Sequence, residues 1–271
     1  MTQFDIQAVT PKIRRVTFAN PPVNVVGADT VAELSEVVDE LGRDEQIQVV
    51  IFDSATPGYF FNHADLNQFA ELLTQTAADS TPLFIDLTQR LTHAPFITIA
   101  AIRGRTRGGG DELTLAFDLR YASREHAIFC QPEVATGVLP GGGGADRLSL
   151  LLGRDRALEA ILTSHDFDAD RAERYGWVTR AIPDADLDEF VDDTAARIAA
   201  FDKAAVLGAK ALINRATLPP EAHLRASWAA FTTSVTWPGF QARGPQFAKL
   251  FAEVGVEEVE RNLGHYLGAA T

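Results

Sequence analysis

The chain has 271 residues, of which 46% are hydrophobic and 23% charged, as expected for a globular protein with one sizeable core. Its formal net charge of −13 argues against binding to nucleic acid or anionic lipid, because both attract cationic surfaces. With Cys130 alone there is no intrachain disulfide, and neither a signal-like N-terminus nor a bilayer-length apolar run is present, so we predict a cytoplasmic protein.

Strands and helices are predicted to alternate through the first half of the chain. The predicted strands cover residues 4–8, 12–18, 48–52 and 97–102. Between them, Thr30 and Glu33 have the spacing of a capping box and predict the start of a helix, and Pro82 is expected to open a second helix. This alternation is typical of an α/β core.

From about residue 186 the pattern changes to one helix after another. The predicted helical segments lie near 186–198, 203–216, 220–235, 240–252 and 256–267. We therefore place a boundary near residue 200. Residues 1–200 are expected to form the core that carries the site, and residues 201–271 a helical C-terminal region.

Two turns that follow buried strands carry the residues of chemical interest. The first spans residues 59–66 and the second residues 104–119. Because glycine has no side chain, Gly108, Gly109 and Gly110 allow the backbone to approach a ligand closely. They also precede a predicted helix over 111–117, whose free N–H groups suit a negative charge developing on oxygen.

These turns resemble motifs of the enoyl-CoA hydratase/isomerase (crotonase) family. Residues 49–66 are similar to the family's strand followed by F-x-x-G-A-D-L, and residues 99–123 to its strand followed by G-x-x-x-G-G-G-x-E-L. Residues 127–143 resemble F-x-x-P-E-x-x-x-G-x-x-P-G-x-G, and residues 172–178 resemble A-x-x-x-G-x-V. The resemblance covers about residues 10–200.

The resemblance implies an α/β fold, a crotonase-type spiral core of repeated ββα units with a helical C-terminal region. In the family that region contributes to a homotrimer or a dimer of trimers. The implied activity is that of a lyase adding water across the 2,3 double bond of an acyl-CoA thioester, with coenzyme A as part of the substrate and no metal or other cofactor. Double-bond isomerisation, C–C cleavage, and an inactive member acting as a binding or scaffold oligomer remain alternatives.

The resemblance also implies an oxyanion hole formed by the N–H groups of Ala64 and Gly109, with Glu112 and Glu133 as catalytic carboxyl groups. An enoyl thioester accepts water at C3 only if its carbonyl oxygen can take negative charge, which preorganised N–H donors stabilise. Water needs a base and C2 needs a proton, so two carboxyl groups sharing one proton suit the reaction. We assign the water to Glu112 and the proton to Glu133; coupled or reversed roles remain open, as does the possibility that both are ordinary surface glutamates.

Further predicted substrate-binding residues flank the two donors. They are His63, Asp65, Leu66, Arg107, Gly108 and Asp111. Three depart from the family pattern: His63 replaces a glycine, Arg107 an apolar residue, and Asp111 a small or apolar one. Because Arg107 and Asp111 are four residues apart, we expect them to form an ion pair. His63 is either a pocket residue or a structural hydrogen-bonding residue.

The contacts expected for coenzyme A are weaker than usual in the family. Asn67 stands where many relatives carry lysine, and within 236–249 only Arg243 and Lys249 are basic. The acidic net charge adds to this difficulty for a polyphosphate ligand. Tight coenzyme A binding is therefore an open question at the level of sequence.

Two further clusters allow more than one interpretation. Residues 165–170 approach the calcium-loop pattern, but Arg171 occupies the position that requires glycine, so we predict a helix cap. The arginines at 103, 105 and 107 either contact phosphate or pair with acidic side chains. We predict no metal site.

Overall fold

A computed structural model describes residues 2–269, and ten strands form two sheets within that range. The strands are β1 (Phe4–Thr10), β2 (Ile13–Phe18), β3 (Val49–Ser54), β4 (Gly58–Tyr59), β5 (Ile97–Ile102), β6 (Gly104–Arg107), β7 (Leu119–Ser123), β8 (Ile128–Cys130), β9 (Phe167–Asp168) and β10 (Arg180–Ile182). The larger sheet has the order β1-β2-β3-β5-β7-β10, and the smaller sheet the order β4-β6-β8-β9.

Fourteen α-helices surround these sheets in the described residues. They are α1 (Ala28–Arg43), α2 (Phe69–Thr74), α3 (Leu83–Thr92), α4 (Gly108–Thr114), α5 (Glu133–Thr136), α6 (Gly144–Leu152), α7 (Arg154–Thr163), α8 (Ala169–Tyr175), α9 (Leu187–Ala199), α10 (Lys203–Thr217), α11 (Glu221–Ser234), α12 (Pro238–Val254), α13 (Val256–Arg261) and α14 (Leu263–Ala269). No helix within residues 2–269 is both long and apolar enough to span a bilayer.

The larger sheet is parallel except for the β1–β2 pair at its edge. All six residues of β5 are buried, which explains why this strand is a continuous apolar run in the sequence. One face packs on helices including α1 and α3, and α9 covers the other face with Leu187, Val191 and Ala195. The predicted α/β core is confirmed by this arrangement.

The chain passes from the larger sheet to the smaller one after β3, β5 and β7, and the first two passages lead to the two turns of the predicted oxyanion hole. After β3 it enters β4, and after β5 it enters β6, which pairs in parallel with β4 at Gly58 and Gly104. A side chain at Gly104 would lie 2.3 Å from the Gly58 carbonyl carbon, so glycine permits the close approach. The turns that follow β4 and β6 are consequently neighbours.

Two predicted helix starts are wrong by about three residues. Helix α1 begins at Ala28 after Gly27, and Thr30 accepts a hydrogen bond from the Gly27 N–H at 3.1 Å instead of capping the helix from outside. Helix α4 begins at Gly108, so the glycines that were predicted to precede it form its first turn. A side chain at Gly110 would lie 2.0 Å from the Asn62 carbonyl oxygen, so only glycine permits this packing.

The chain after residue 186 is helical as far as it is described, apart from short connections. The predicted helix over 256–267 is divided, since α13 ends at Arg261 and α14 begins at Leu263. The division of the chain into a core of residues 1–200 and an oligomerisation region of residues 201–271 stays a prediction.

Candidate active site

The turn after β4 presents the amide of Ala64. The Val26 N–H donates to the His63 carbonyl and the Asp65 N–H donates to the Val26 carbonyl, each at 2.9 Å. These two bonds fix the residues on either side of Ala64, whose own N–H makes no backbone hydrogen bond within residues 2–269. The geometry leaves this donor available to a ligand.

The first turn of α4 presents the amide of Gly109 beside it. The first N–H groups of an α-helix have no intrahelical acceptor. Arg107 is the extended residue before the helix, which makes Gly109 the second helical residue. A methyl group placed on Gly109 would lie 3.9 Å from the amide nitrogen of Ala64. The two predicted oxyanion donors therefore lie side by side, although they come from different turns.

Glu112 lies one turn further along α4, and its side chain is buried. Its Oε1 accepts hydrogen bonds from the N–H groups of Gly142 and Gly144, both at 2.8 Å. Burial raises the pKa of Glu112 to about 7, although these two bonds act in the opposite direction by favouring the ionised carboxylate.

Glu133 is the first residue of α5 and is also buried. Its Oε2 has no hydrogen-bond partner within residues 2–269, and its Oε1 would lie 3.0 Å from a methyl group placed on Gly108. Burial, followed by the nearby charge of Glu112, raises the pKa of Glu133 well above the usual range. Glu133 is therefore the better suited of the two carboxyl groups to hold a proton near neutral pH.

One cavity of about 320 Å³ is lined by both donors and both carboxyl groups. The rest of its lining is mostly apolar, and several aromatic rings form the walls. They include Phe84, Trp228, Phe231, Phe247 and Phe251. Such an apolar cavity with a few convergent polar groups is typical of an enzyme site for a small molecule.

The other predicted substrate-binding residues of the first turn divide into two groups. His63 and Leu66 line the cavity. Asp65 lies outside its lining, and its Oδ1 accepts hydrogen bonds from the Asn67 N–H at 2.8 Å and the Asn67 Nδ2 at 3.0 Å. Asp65 therefore stabilises its own turn in the described structure.

The predicted ion pair between Arg107 and Asp111 is wrong. The Arg107 side chain is fully buried and donates from Nε and Nη2 to the two carboxylate oxygens of Asp166, at 3.0 and 2.8 Å. Because Arg107 is extended and precedes α4, the helical neighbour rule does not apply to it. In the second turn Gly108 lines the cavity, whereas Arg107 lies behind it.

Asp111 is fully buried on the far side of α4 and also lies outside the cavity lining. Its carboxyl group accepts hydrogen bonds from Gln131 Nε2 at 2.6 Å and from Trp177 Nε1 at 3.1 Å. Burial raises the pKa of Asp111 to about 7 despite these bonds. Its contacts are those of a residue that joins α4 to the core behind the site.

The remaining clusters show ordinary structural contacts. The side chain of Asp168 accepts from the Arg171 N–H at 2.7 Å, which confirms the predicted helix cap. Within residues 2–269 no group of three or more His, Cys, Asp or Glu side chains is placed to hold a metal ion. Arg103 pairs with Asp184 and Asp188 and Arg107 with Asp166, in agreement with pairing to acids, whereas Arg105 donates to the carbonyl groups of Arg261 and Gly58.

Of the two basic residues in segment 236–249, one lies near the cavity. Arg243 of α12 lines the cavity, whereas Lys249 is exposed and lies 3.8 Å from Glu253. Arg243 is thus the one of the two that is placed near the site.

Sequence reasoning missed two sets of contacts. The N–H groups of Gly142 and Gly144 hold Glu112, a contact between two separate motifs that the linear pattern does not show. Glu260 of α13 contacts His63 and Asn62, and no local pattern marks it.

Comparison with known proteins identifies the family. A profile described as Enoyl-CoA hydratase/isomerase matches residues 9–236. The chain belongs to this family. It is 33% identical over 205 residues to a short-chain-enoyl-CoA hydratase of Clostridium acetobutylicum, which covers 75% of this chain and 78% of the relative.

Solved structures agree with this assignment. A protein of Streptomyces avermitilis, provisionally named as an enoyl-CoA hydratase, is 43% identical with a TM-score of 0.91, over 98% of this chain and 96% of the other. An enoyl-CoA hydratase of Bacillus anthracis is 26% identical with a TM-score of 0.72, over 91% and 96%. The predicted crotonase-type fold is thereby confirmed.

Proposed function

We propose that this protein is an enoyl-CoA hydratase, a lyase that adds water across the 2,3 double bond of an acyl-CoA thioester. One observation carries the proposal: the amides of Ala64 and Gly109 and the carboxyl groups of Glu112 and Glu133 line one cavity. Family membership and the hydratase names of its relatives support the same reaction.

In this mechanism the thioester oxygen accepts hydrogen bonds from both amides. As water bonds to C3, the electrons of the double bond move towards the carbonyl, and the oxygen acquires negative charge. Fixed N–H donors stabilise that charge more strongly than the neutral substrate, which lowers the barrier. The positions of Ala64 and Gly109 at two converging turns suit this role.

The two carboxyl groups divide the proton transfers. Glu112, held as a carboxylate by two N–H donors, takes the proton from the attacking water. Glu133, whose Oε2 has no partner among the described residues and whose pKa is raised well above the usual range, delivers its proton to C2. After the reaction Glu112 is protonated and Glu133 is ionised, so one proton passes between the coupled groups before the next cycle.

The acyl chain is proposed to run from the carboxyl groups towards an aromatic wall. A methyl group placed on Gly142 would lie 2.6 Å from the Glu112 carboxylate and 2.4 Å from the ring of Phe84, so these groups are adjacent. Phe84 stacks on Trp228 with ring centroids 5.7 Å apart. This wall suits an apolar chain beyond C3, with coenzyme A belonging to the substrate and no further cofactor.

We also propose a homotrimer or a dimer of trimers located in the cytoplasm. Large apolar side chains are exposed on α6, α7 and α10, and burying them between subunits would be favourable. They include Leu150, Leu151, Leu162, Leu212 and Ile213. Light scattering tests this proposal, because it distinguishes one, three and six chains of 29.4 kDa.

Incubation with crotonyl-CoA tests the function. Hydration removes the conjugated double bond, so the absorbance of the enoyl thioester should fall and 3-hydroxybutyryl-CoA should accumulate. A 3-enoyl product instead would show an isomerase. Binding of the thioester without turnover would support an inactive family member, and either result would overturn the hydratase proposal.

A further inference from the structure

Glu260 is a buried acid in the C-terminal helices that contacts the first oxyanion turn. Only 3% of the residue is exposed, although it carries a carboxyl group. Its Oε2 accepts from Asn62 Nδ2 at 3.0 Å, and its Oε1 lies 2.8 Å from His63 Nε2. Both partners directly precede Ala64, which presents the first donor.

The same residue also contacts the second oxyanion turn. The Glu260 carbonyl accepts a hydrogen bond from Arg107 Nη1 at 2.5 Å. Arg107 directly precedes α4, the helix that presents the Gly109 amide, and Asp166 fixes its other nitrogens. One residue of α13 therefore joins the two turns that supply the two donors.

The bonds of His63 show that this contact is an ion pair. Its Nδ1 lies 3.0 Å from the Ala64 carbonyl and its Nε2 faces Glu260, so both nitrogens meet acceptors. Both bonds form only if His63 is an imidazolium. Burial opposes that charge and Arg107 repels it, but Glu260 together with the Ala64 carbonyl outweighs both and raises the pKa of His63. Glu133 is a further acid nearby, across Gly108.

We propose that Glu260 is a positioning residue of the oxyanion hole, which holds the Ala64 and Gly109 amides at the spacing that one thioester oxygen requires. The inference rests on the hydratase function proposed above. Phe247 of α12 and Leu263 of α14 line the cavity, so the helices on either side of α13 enclose the acyl chain. The same group of helices carries Glu260, which aligns the donors. The C-terminal helices thereby act on the chemical step as well as on substrate binding.

The physical basis is preorganisation of the two donors. Without the Glu260 carboxylate, His63 and Asn62 would lose a buried partner and the first turn would relax relative to the second, where Arg107 keeps its bond to the backbone carbonyl of residue 260. A displacement of about 1 Å at such a site costs roughly a hundredfold in rate. The loss falls mainly on the transition state, since the oxygen carries its full negative charge only there.

The test compares Glu260→Ala and Glu260→Gln with Glu257→Gln. Glu257 lies on the same helix, its side chain is 83% exposed and it pairs only with Arg261 in the described structure, so it is a matched control. With crotonyl-CoA we expect kcat to fall roughly tenfold to a hundredfold for Glu260→Ala and less for Glu260→Gln. KM should change less than about threefold, and Glu257→Gln should behave as the wild type.

A second measurement separates positioning from general stability, and does not depend on turnover. In ¹⁵N-histidine NMR spectra, with His63 assigned by the loss of its signals in His63→Gln, the ring should be doubly protonated at pH 7 in the wild type. In folded Glu260→Gln its titration midpoint should fall by at least one pH unit. If Glu260→Ala does not fold, Glu260→Gln still provides the test.

The outcomes separate the two proposals. Folded Glu260 variants with wild-type kcat, or a Glu257→Gln variant with the same loss, would overturn the positioning role. A wild-type His63 that titrates as an ordinary imidazole would do the same. Absence of hydration in the wild type, with the NMR shift still present, would instead refute the hydratase function and leave the contact between Glu260 and the turns in place.

Discussion

The two walls of the cavity differ in chemistry because they come from different parts of the chain. The wall from the core carries the two backbone donors and both carboxyl groups, which come from the turn after β4, from the first two turns of α4 and from the start of α5. The wall from the C-terminal helices is apolar apart from Arg243, with rings such as Trp228 and Phe247. Groups that need accurate placement lie on turns that the sheets hold rigidly, whereas the later helices mainly provide shape.

Glu260 is the exception that makes this comparison informative. It belongs to the C-terminal helices but is polar, buried and directed away from the acyl wall towards the two turns. The core wall is therefore completed by a residue of the other wall. Substitutions in each wall should separate these contributions.

The largest effect is expected in the core wall. Glu112→Gln and Glu133→Gln keep the side-chain shape but cannot exchange the proton, so kcat for crotonyl-CoA should fall roughly 10²-fold to 10⁴-fold. Steady-state kinetics measures this loss, and thioester binding measured by calorimetry should change little. If either variant keeps wild-type turnover, its carboxyl group does not take part in proton transfer.

Substitutions of two neighbouring glycines in the same wall separate an effect on catalysis from an effect on folding. Gly109→Ala meets no atom closer than 3.9 Å, so the fold should persist, but the methyl group stands beside the Ala64 donor and kcat should fall roughly tenfold or more. Gly110→Ala would place a methyl group 2.0 Å from the Asn62 carbonyl oxygen, so it should unfold or strongly destabilise the protein. Circular dichroism with activity assays checks both; equal stability of the two variants would contradict the packing argument.

For substitutions in the C-terminal wall we expect a larger change in acyl-chain preference than in kcat. Trp228→Leu removes a ring that packs on Phe84 and Phe231, so kcat/KM for octenoyl-CoA relative to crotonyl-CoA should rise roughly fivefold to tenfold. Trp237→Leu is the control, because that ring is 44% exposed and lies outside the cavity lining. An unchanged ratio in Trp228→Leu would mean that the acyl chain does not reach this wall.

The smallest expected effect concerns stability against pH. Burial raises the pKa of Glu112 to about 7 and that of Glu133 well above its usual range, so the folded state binds more protons than the unfolded state from about pH 4.5 up to these raised values. These two groups therefore lower the free energy of unfolding as pH rises through neutrality. Glu133→Gln removes part of that loss and should melt roughly 2–6 °C above the wild type at pH 8.

The same comparison at pH 5 supplies the control. There Glu133 is protonated in the folded protein, and the two melting temperatures should nearly coincide. The ion pair of His63 and Glu260 also weakens as pH rises through the raised pKa of His63, but both proteins contain it and the difference cancels. Equal melting temperatures at both pH values would contradict a buried Glu133 carboxyl group whose pKa is raised in the folded protein.

Local patterns in the sequence predicted much of this architecture. The continuous apolar run of β5 and the Pro82 signal before α3 placed their elements correctly. The boundary of α4 was missed because the packing of Gly110 against Asn62, on a different turn, extends the helix by three residues. Helix propensity depends only on neighbouring residues in the chain, so it does not predict such an extension.

The sequence by itself determined the order of elements and the family resemblance, and it predicted as site residues Ala64, Gly109, Glu112 and Glu133, which line one cavity. Only the tertiary structure decided that Arg107 pairs with Asp166 and that Glu260 meets His63, 197 residues away. Local structure follows from periodicity, capping and backbone restriction, which a linear pattern records. A buried charge instead pairs with whatever group the packing brings near, and that partner depends on how distant elements dock.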